Sequence, residues 1–347
     1  MGSSMSFQDL VERIEILSKN HPRERLGFTI GTLTAYDHEA DYYLTPVRTS
    51  NRMVYTGAIV RNVETAIELA KLVDIKIAYL FVDSEKKVSK SNYGQNDIGN
   101  IEKAVFENIT SAELLTYKGN DLTVKSADTL IRVLTPNLTG AKVAIVGLGN
   151  IGMKLALSLL ERGNSIYLYS KDNSHSKEVA TLLNKLKLRT ALSQVYSVSN
   201  LFDAVDQAEV LVATSNRKNF IGLEHVNAMK RIGNNSSPIL LDVGKGCFKA
   251  EVNNDSNVIM RVDVADELSS EIDSLISQHE RLKNSIKMRT VSEYRFITRG
   301  IVGKKSDVLV DDLNSPTVVL GICDGEGNVL SVSSEIAMSL LKKVKAF

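Results

Sequence analysis

The stretch VAIVGLGNIGMKLALSLLERGNSIYLYSKD, Val143 to Asp172, decides the fold of this chain. An apolar strand pattern runs directly into GLGNIG, and apolar residues three and four apart then predict a helix. Gly147, Gly149 and Gly152 have the spacing G-x-G-x-x-G in the strand-to-helix context that makes this motif specific. We therefore predict a Rossmann domain that contains this turn.

Each glycine of the turn has its own physical role. Gly147 allows a tight turn, Gly149 lets the backbone approach a diphosphate, and Gly152 permits close packing of helix on strand. The free N–H groups at the helix start, around Asn150 and Ile151, attract negative charge. We predict that these five residues bind a dinucleotide; a glycine-rich turn without a ligand is the alternative.

The end of the second strand, YLYSKD, bears on which dinucleotide is bound. Ser170 stands where sites that prefer NAD usually carry the acidic residue that binds the ribose, and Asp172 comes two residues later. A hydroxyl at Ser170 and a positive charge at Lys171 would receive a 2′-phosphate. NADP is therefore the predicted cofactor. NAD is the alternative, with Lys171 in solvent and Asp172 turned towards the ribose.

Two further loops follow predicted strands, at the sheet edge where open α/β sheets bind ligands. The loop ATSNRKNF contains Ala213, Thr214 and Ser215, whose small side chains would let the cofactor lie close to the backbone. In DVGKGCF, Gly244 precedes Lys245 at the expected level of the nicotinamide. Lys245 either orients a substrate carboxylate or caps the sheet edge.

Alternation of helices and strands predicts an α/β fold with a doubly wound parallel sheet and a separate α/β substrate domain. We expect the substrate domain at residues 1–125 and the Rossmann domain at residues 126–265. Residues 266–347 should form a long helix, a hairpin around DGEG and a terminal helix that return to the first domain and complete it.

The local patterns also predict particular elements. LGFTIGTLTAY (26–36) and DYYLTPVRTS (41–50) should pair as a hairpin through the turn DHEA. The apolar spacing over residues 58–73 favours a helix, and residues 126–134 should form the helix that connects the two domains.

Composition limits the partners. The net charge is +1, from 42 basic and 41 acidic residues, so nothing favours nucleic acid or an anionic membrane. No apolar run is long enough to span a membrane, and the first residues lack the pattern of a signal peptide. Two cysteines without C-x-x-C spacing fit a reducing compartment. We expect a cytoplasmic protein with a small-molecule substrate, either monomeric or a homo-oligomer.

Hydride transfer needs a group that moves a proton, commonly His, Lys or a Lys–Asp pair. Asp121 lies next to the predicted interdomain cleft and is either this acid or base, or a helix N-cap. Its lysine partner would be Lys118 or a lysine of SEKKVSK (84–90). His279 is more typical of a buried helix residue than of a catalyst, and Cys247 of a small core residue than of a nucleophile.

Other chemistry finds little support in the sequence. Arg48 and Arg299 either bind an anionic substrate or form surface ion pairs. The five histidines have no metal-binding spacing, so no metal site is predicted. A G-x-S-x-G elbow, which would indicate a hydrolase, is absent from the sequence.

The segments GLGNIG, VLVATS and LLDVGKGCF together resemble dehydrogenases in which a Rossmann domain follows a separate catalytic domain. Over residues 115–265 the chain is similar to shikimate, methylenetetrahydrofolate and D-2-hydroxyacid dehydrogenases. The resemblance implies that Asn120 and Asp121 correspond to the Asn and catalytic Asp of shikimate dehydrogenases. Neither the N-terminal S-x-S substrate motif of that family nor the Pro-His pair of the hydroxyacid enzymes is present.

These observations predict an NADP-dependent oxidoreductase that acts on a small polar carbonyl, alcohol or amino/imino acid, with Asp121, Lys118 and Lys245 as candidate catalytic residues. A cofactor-dependent cyclase or lyase, or a protein that senses the nicotinamide cofactor without catalysis, is the alternative.

Overall fold

The structure, a computed structural model, forms two compact units, Met1–Glu271 and Ile272–Phe347. The described residues are 7–32, 42–85, 101–135, 139–230, 238–254, 259–260, 262–285 and 288–346. Within them, the first unit contains two β-sheets and the second unit contains one.

The first sheet has five strands in the order β2-β3-β1-β4-β5. Strands β3, β1, β4 and β5 are parallel, and β2 is antiparallel to β3. The elements are α1 Phe7–Asn20, β1 Leu26–Thr32, β2 Tyr42–Thr49, β3 Val54–Val60, α2 Val63–Val73, β4 Tyr79–Asp83, α3 Ile101–Phe106, β5 Glu113–Tyr117 and α4 Gly119–Leu134. The four parallel strands therefore end at one edge, which we call the carboxyl edge of the first sheet.

The predicted hairpin of residues 26–36 and 41–50 is wrong in its pairing, because β3 lies between β1 and β2. Strand β1 is buried along nearly its whole length and pairs with β3 and β4, whereas β2 is an edge strand with several exposed residues. Pro46 falls in a register shift of β2, a position that suits a residue without an N–H. The hairpin that forms joins β2 to β3, and the turn DHEA lies outside the described residues.

Two predicted helices have different starts in the structure. The helix expected from residue 58 begins at Val63, because β3 continues to Val60 and Asn62 caps α2 by accepting a 2.8 Å hydrogen bond from Thr65 N. A short apolar run fits a buried strand as well as a helix, so periodicity alone misplaces this boundary. The connecting helix α4 begins at Gly119 rather than at residue 126.

The second sheet has six parallel strands in the order β11-β10-β9-β6-β7-β8. Its elements are β6 Lys142–Val146, α5 Asn150–Glu161, β7 Ser165–Tyr169, α6 Asn173–Leu186, β8 Val195–Ser197, α7 Leu201–Val205, β9 Val210–Ala213, α8 Leu223–Asn227, β10 Ile239–Asp242, α9 Ala250–Asn254 and β11 Ile259–Met260. This is the strand order of a Rossmann fold, and the order reverses between β6 and β9. The α/β fold class with a doubly wound domain is confirmed.

Alternate residues of β6 face opposite layers of helices. Val143 and Ile145 pack in the core that includes α4, α5 and α6, whereas Ala144 and Val146 pack in the core that includes α7, α8 and α9. A strand buried on both faces needs apolar residues at every position, which explains the run VAIV.

The second compact unit contains a five-stranded sheet in the order β12-β13-β14-β15-β16. Its elements are the last part of α10 Ala265–Ser285, then β12 Met288–Val291, β13 Tyr294–Thr298, β14 Val308–Val310, β15 Val319–Cys323, β16 Val329–Leu330 and α11 Ser334–Lys345. The predicted hairpin around DGEG is present as β15 and β16, and the terminal helix as α11. The division into residues 1–125, 126–265 and 266–347 stays a prediction.

None of the helices among the described residues is both long and apolar enough to cross a membrane.

Asp74 ties the end of α2 to the loop before β5. Its buried carboxylate accepts hydrogen bonds from the backbone N–H of Thr110 (2.8 Å), Ser111 (3.1 Å) and Ala112 (2.7 Å). Burial by itself would raise the pKa of Asp74, but these hydrogen bonds to the charged form outweigh it and lower the pKa.

We expect Asp74→Ala to destabilise the first sheet by about 3 kcal/mol at neutral pH, because it leaves buried N–H groups without an acceptor. Since the pKa of the native carboxyl is lowered, its contribution is full above the usual value of about 3.9 and is lost as the pH falls below it. Tm measured against pH checks this. The exposed Glu24→Ala is the control; an equal loss of Tm in both variants would contradict the assignment.

Candidate dinucleotide and catalytic site

The glycine-rich turn lies where the sheet order reverses. Gly147 has a φ of +99°, and a Cβ added there would lie 2.6 Å from Ser215 N in the loop after β9. A Cβ at Gly152 would lie 2.2 Å from Gly147 O. Both positions therefore require glycine, the first for its backbone conformation and both for close approach.

Gly149 differs from the other two glycines. Its backbone is in the ordinary extended region, it precedes α5 as the N-cap, and a Cβ there would meet no protein atom within 4 Å. The space that Gly149 leaves open is outside the protein, in front of the first turn of α5. Packing within the protein therefore does not require glycine at position 149, whereas the close approach of a ligand would.

A cavity of about 520 Å³ opens above this turn. Its lining contains six of the predicted cofactor-binding residues, namely Gly147, Gly149, Ser170, Lys171, Thr214 and Ser215. The other lining residues are Val146, Leu148, Tyr169, His175, Asn216, Arg217 and Phe220. The structure thus brings the ends of β6, β7 and β9 together around one volume.

Five predicted cofactor-binding residues lie outside this lining. Asn150 is exposed and Ile151 half-buried in the first turn of α5, while Gly152 is buried against the turn. Ala213 is fully buried, and Gly244 packs so closely on the loop after β9 that a Cβ would lie 1.8 Å from Ser215 O. Their role in cofactor binding stays a prediction.

The carboxylate of Asp172 is engaged at the start of α6. It caps this helix by accepting hydrogen bonds from Ser174 N (3.0 Å) and His175 N (3.1 Å). His175 Nε2 lies 3.1 Å from Leu148 O and, since a carbonyl can only accept, donates to it. This leaves Ser170 and Lys171 to face the cavity from the end of β7.

Arg217 and His175 line the cavity, although the sequence reasoning did not single them out. Arg217 is exposed, and its guanidinium lies 5.1 Å from the centre of the Phe220 ring. The sequence feature that could have indicated Arg217 is its position in the loop ATSNRKNF, which follows a buried strand. No described residue in the lining is acidic, whereas Lys171 and Arg217 are basic side chains.

The loop after β10 is held by Asp242. Its carboxylate accepts hydrogen bonds from the N–H of Gly246 (2.5 Å) and Cys247 (3.4 Å). Lys245 has a φ of +61°, its carbonyl accepts from Lys218 Nζ, and its side chain is exposed. Burial, and then the charge of Asp242, raise the pKa of the fully buried Cys247 to about 12, which agrees with a core residue rather than a nucleophile.

Asp121 is not the N-cap of α4, which is Lys118. It lies in the first turn, and its Oδ1 accepts a 2.5 Å hydrogen bond from Nζ of Lys154 on α5. Lys154 also lies 3.7 Å from Oε1 of Glu85, and Glu85 accepts a hydrogen bond from Asn120 N (2.8 Å). Asp121, Lys154 and Glu85 therefore form one cluster, where the carboxyl edge of the first sheet meets the Rossmann domain.

The other predicted candidates lie apart from this cluster. Lys118 is exposed, and the lysines at 86, 87 and 90 lie outside the described residues. Arg48 pairs with Tyr55 near the start of β3, at the opposite edge from the carboxyl ends. His279 and Arg299 belong to the second compact unit. Lys154 was missed because, within an apolar helix, one lysine is also typical of a solvated face.

The comparisons with known proteins agree with this geometry in part. The family model of shikimate / quinate 5-dehydrogenase matches residues 129–266, less than half of the chain. Residues 129–266 resemble a shikimate dehydrogenase. The resemblance predicted for residues 115–265 is thus confirmed for this family. No curated protein sequence matches the chain.

Several solved structures match the chain at low identity and low TM-score. Ornithine carbamoyltransferase from Pyrococcus furiosus is 11% identical with a TM-score of 0.43, over 76% of this chain and 90% of that one. A dipicolinate synthase from Bacillus halodurans is 12% identical (TM-score 0.34), over 73% and 98%. The nucleotide-binding domain of glutamyl-tRNA reductase from Thermoplasma volcanium is 11% identical (0.31), over 45% and 96%. These likenesses carry no inference about function.

Alanine substitutions at the three glycines of the turn should differ in their effect on stability. We expect Gly147→Ala and Gly152→Ala to lower the free energy of unfolding by about 1 to 3 kcal/mol, because each clashes with backbone. Gly149→Ala should leave Tm unchanged, since its Cβ meets open space. Thermal unfolding of the three variants tests this. A fall in Tm for Gly149→Ala as large as for Gly152→Ala would contradict the finding that a side chain at position 149 meets open space.

Proposed function

We propose that this protein is an NADP-dependent oxidoreductase that transfers a hydride to or from a small polar metabolite. The observation that carries the proposal is the cavity at the glycine-rich turn, which is lined by Ser170, Lys171 and Arg217 while Asp172 is engaged by α6. The partial match to shikimate / quinate 5-dehydrogenase supports a dehydrogenase.

The residues present fit a dinucleotide. The diphosphate would lie at Gly149 and the first turn of α5, where the backbone is open and the N–H groups carry partial positive charge. The nicotinamide would extend towards Thr214 and Ser215, at the reversal of the strand order. The volume of about 520 Å³ is within the usual range for a ligand cavity.

The charges of the cavity favour a 2′-phosphate over a free ribose hydroxyl. A carboxylate that would bind both ribose hydroxyls is missing from the described lining, and Ser170 and Lys171 stand at the end of β7 in its place. Arg217 adds a second basic side chain, on the loop after β9. NAD would need Asp172 to leave two backbone N–H groups of α6 unpaired, which costs free energy.

We expect NADPH to bind more tightly than NADH, and Lys171→Ala to weaken NADPH by about 10-fold while leaving NADH nearly unchanged, because one charge-assisted contact is lost. Ser170→Asp should reverse the preference. Fluorescence titration with both cofactors measures these changes. Lys185→Ala, a change in the last turn of α6, is the control. Equal affinity of the wild type for NADH would refute the assignment of NADP.

Asp121 and Lys154 are the residues that we assign to proton transfer. Lys154 follows the helix start by four residues, about 6 Å along α5, so it lies near the position proposed for the diphosphate. Both side chains are 38% exposed, which leaves them accessible to a substrate. A short lysine–carboxylate contact holds the ammonium in place and lets either group exchange a proton with a substrate hydroxyl or amine.

The bound nicotinamide supplies the hydride acceptor or donor. In the oxidative direction the proton of the substrate hydroxyl passes to the Asp121–Lys154 pair, and in the reductive direction the pair returns it. Glu85 is a positioning residue, since it contacts both Lys154 and the backbone of Asn120. Lys118 stays a candidate for proton transfer and Lys245 a candidate for orienting the substrate, because both side chains are exposed.

Asp121→Asn and Lys154→Met should each lower kcat by about 100-fold or more, as expected for a proton-transfer pair, and Asp121→Asn should leave the affinity for NADPH within twofold. Turnover is followed at 340 nm, with shikimate and quinate as the first substrates and other alcohols and amino acids next. Lys125→Met, which breaks an exposed ion pair with Glu271, is the matched control. Unchanged kcat in Asp121→Asn would remove this residue from the mechanism. NADPH binding without turnover on any substrate class would favour a cofactor-sensing protein.

A further inference from the structure

A second cavity, of about 400 Å³, lies at the edge of the first sheet where β1 and β4 begin. It opens between the end of α1, the start of β1 and the turn at residues 74–76. We call it the amino-edge cavity. Its described lining includes Glu15, Lys19, Arg23, Leu26, Ile75 and Lys76.

The amino-edge cavity is separate from the sites discussed above. Strand β1 has seven residues, from Leu26 at this cavity to Thr32 at the carboxyl edge, and so spans about 20 Å. The described lining shares no residue with that of the nucleotide cavity. A small molecule bound here would therefore be neither the substrate nor the cofactor.

Basic side chains outnumber acidic ones in this lining. Lys19, Arg23 and Lys76 are accompanied by one carboxylate, that of Glu15, which lies 3.6 Å from Lys76 Nζ. The described lining thus has a formal surplus of two positive charges. The last turn of α1 adds a partial negative charge of about half a unit, which reduces this surplus without cancelling it. The cavity therefore favours an anion.

The guanidinium of Arg23 is held in one orientation by the protein. Its Nε donates to Ile77 O (2.9 Å), and its Nη2 donates to Ser111 O (3.0 Å) and Ser111 Oγ (2.8 Å). Nη1 makes no hydrogen bond to the described residues, so its donors are left for a ligand. A donor that is already fixed loses little conformational entropy when a ligand binds.

Two neighbouring side chains are also available to a ligand. Those of Lys19 and His21, both in the lining, have no hydrogen bond or ion pair with any described residue. Lys19 is exposed and His21 is half-buried. Together with Nη1 of Arg23, they offer donors from three separate side chains around one volume.

This set of donors suits a phosphate monoester better than a carboxylate. A phosphate monoester carries about 1.5 to 2 negative charges near pH 7 and has three acceptor oxygens for separate donors. The two-pronged pairing that favours a carboxylate needs two adjacent donors of the guanidinium, but Nε and Nη2 of Arg23 are already engaged. The single charge of a carboxylate would also leave part of the positive surplus unbalanced.

The lining also contains two apolar side chains. Leu26 is buried, whereas Ile75 is 70% exposed. A ligand with an apolar body would remove the surface of Ile75 from water, which is favourable. Inorganic phosphate could not do this.

We propose that the amino-edge cavity binds a small phosphate monoester with an apolar body, as a ligand separate from the substrate and the cofactor. The phosphate oxygens accept hydrogen bonds from Lys19, Arg23 and Lys76, and the apolar body covers Leu26 and Ile75. This site goes beyond the proposed function, because its ligand takes no part in hydride transfer.

Calorimetry on the full chain, in a buffer without phosphate, tests this site with phenyl phosphate, inorganic phosphate, benzoate and phenol. We expect phenyl phosphate to bind most tightly, inorganic phosphate and benzoate more weakly, and phenol not to bind. Lys19→Met should weaken phenyl phosphate by about 10-fold, because one charge-assisted contact is lost. Lys103→Met, which removes an exposed lysine of α3 outside the described lining, is the matched control.

Glu15→Gln should have the opposite effect to Lys19→Met. It removes the one carboxylate of the described lining, so it should tighten phenyl phosphate by about threefold. A merely structural role of the cavity would not produce this gain in affinity.

Thermal unfolding separates loss of binding from loss of the fold. Lys19→Met should leave Tm unchanged, because Lys19 is exposed and has no partner among the described residues. Arg23→Met should weaken phenyl phosphate and also lower Tm, because it removes three hydrogen bonds. Lys19→Met therefore remains informative if Arg23→Met does not fold.

Several results would overturn the proposal. One is a wild type that does not bind phenyl phosphate, or that binds benzoate equally well. Another is equal affinity for phenyl phosphate in Lys19→Met and Lys103→Met. Loss of binding in Lys171→Ala, with binding retained in Lys19→Met, would place the phosphate in the nucleotide cavity instead.

Titration of the same variants with NADPH keeps this test separate from that of the proposed function. Lys19→Met should bind NADPH as tightly as the wild type does. Failure of the wild type to bind NADPH would refute the proposed cofactor and leave the result with phenyl phosphate standing.

Discussion

The close approach of three loops at Ser215 is the constraint on which the nucleotide site depends. The turn at Gly147, the loop after β9 and the loop at Gly244 meet with backbone against backbone, and a Cβ at either glycine would fall within 2.6 Å of Ser215. Thr214 Oγ1 stabilises this contact between the loops by donating a 2.6 Å hydrogen bond to Gly147 O. The floor of the cavity is therefore main chain, which a ligand can approach closely and which few substitutions can alter.

Features set by local sterics could be predicted from the sequence. Gly147 must be glycine because of its positive φ and its contact with Ser215. A requirement of this kind is visible in the sequence as a glycine at a fixed position of the motif. The apolar run of β6 likewise indicates, in the sequence alone, a strand that is buried on both faces. The position of Ser170 could also be predicted, because one helix and one strand separate it from Gly147.

Features set by distant contacts could not be predicted. Strand β1 pairs with β3 instead of β2, so β3 takes the more buried position in the sheet. The turn sequence after β1 gives no indication of this pairing. Lys154 meets Asp121 only because the fold brings α4 to α5, although the two residues are 33 positions apart in sequence.

Helix α4 has its first turn at the edge of one sheet and its later residues in the core of the other. Asp121 stands at the first sheet, while Ala127 and Ile131 pack under β6. Asp121 and the residues that pack under β6 thus stand on one continuous helix. Adding one residue between positions 121 and 127 would turn Asp121 by about 100° around the helix axis. The number of residues between Asp121 and Ala127 therefore matters to the geometry of the candidate site as much as the side chains themselves.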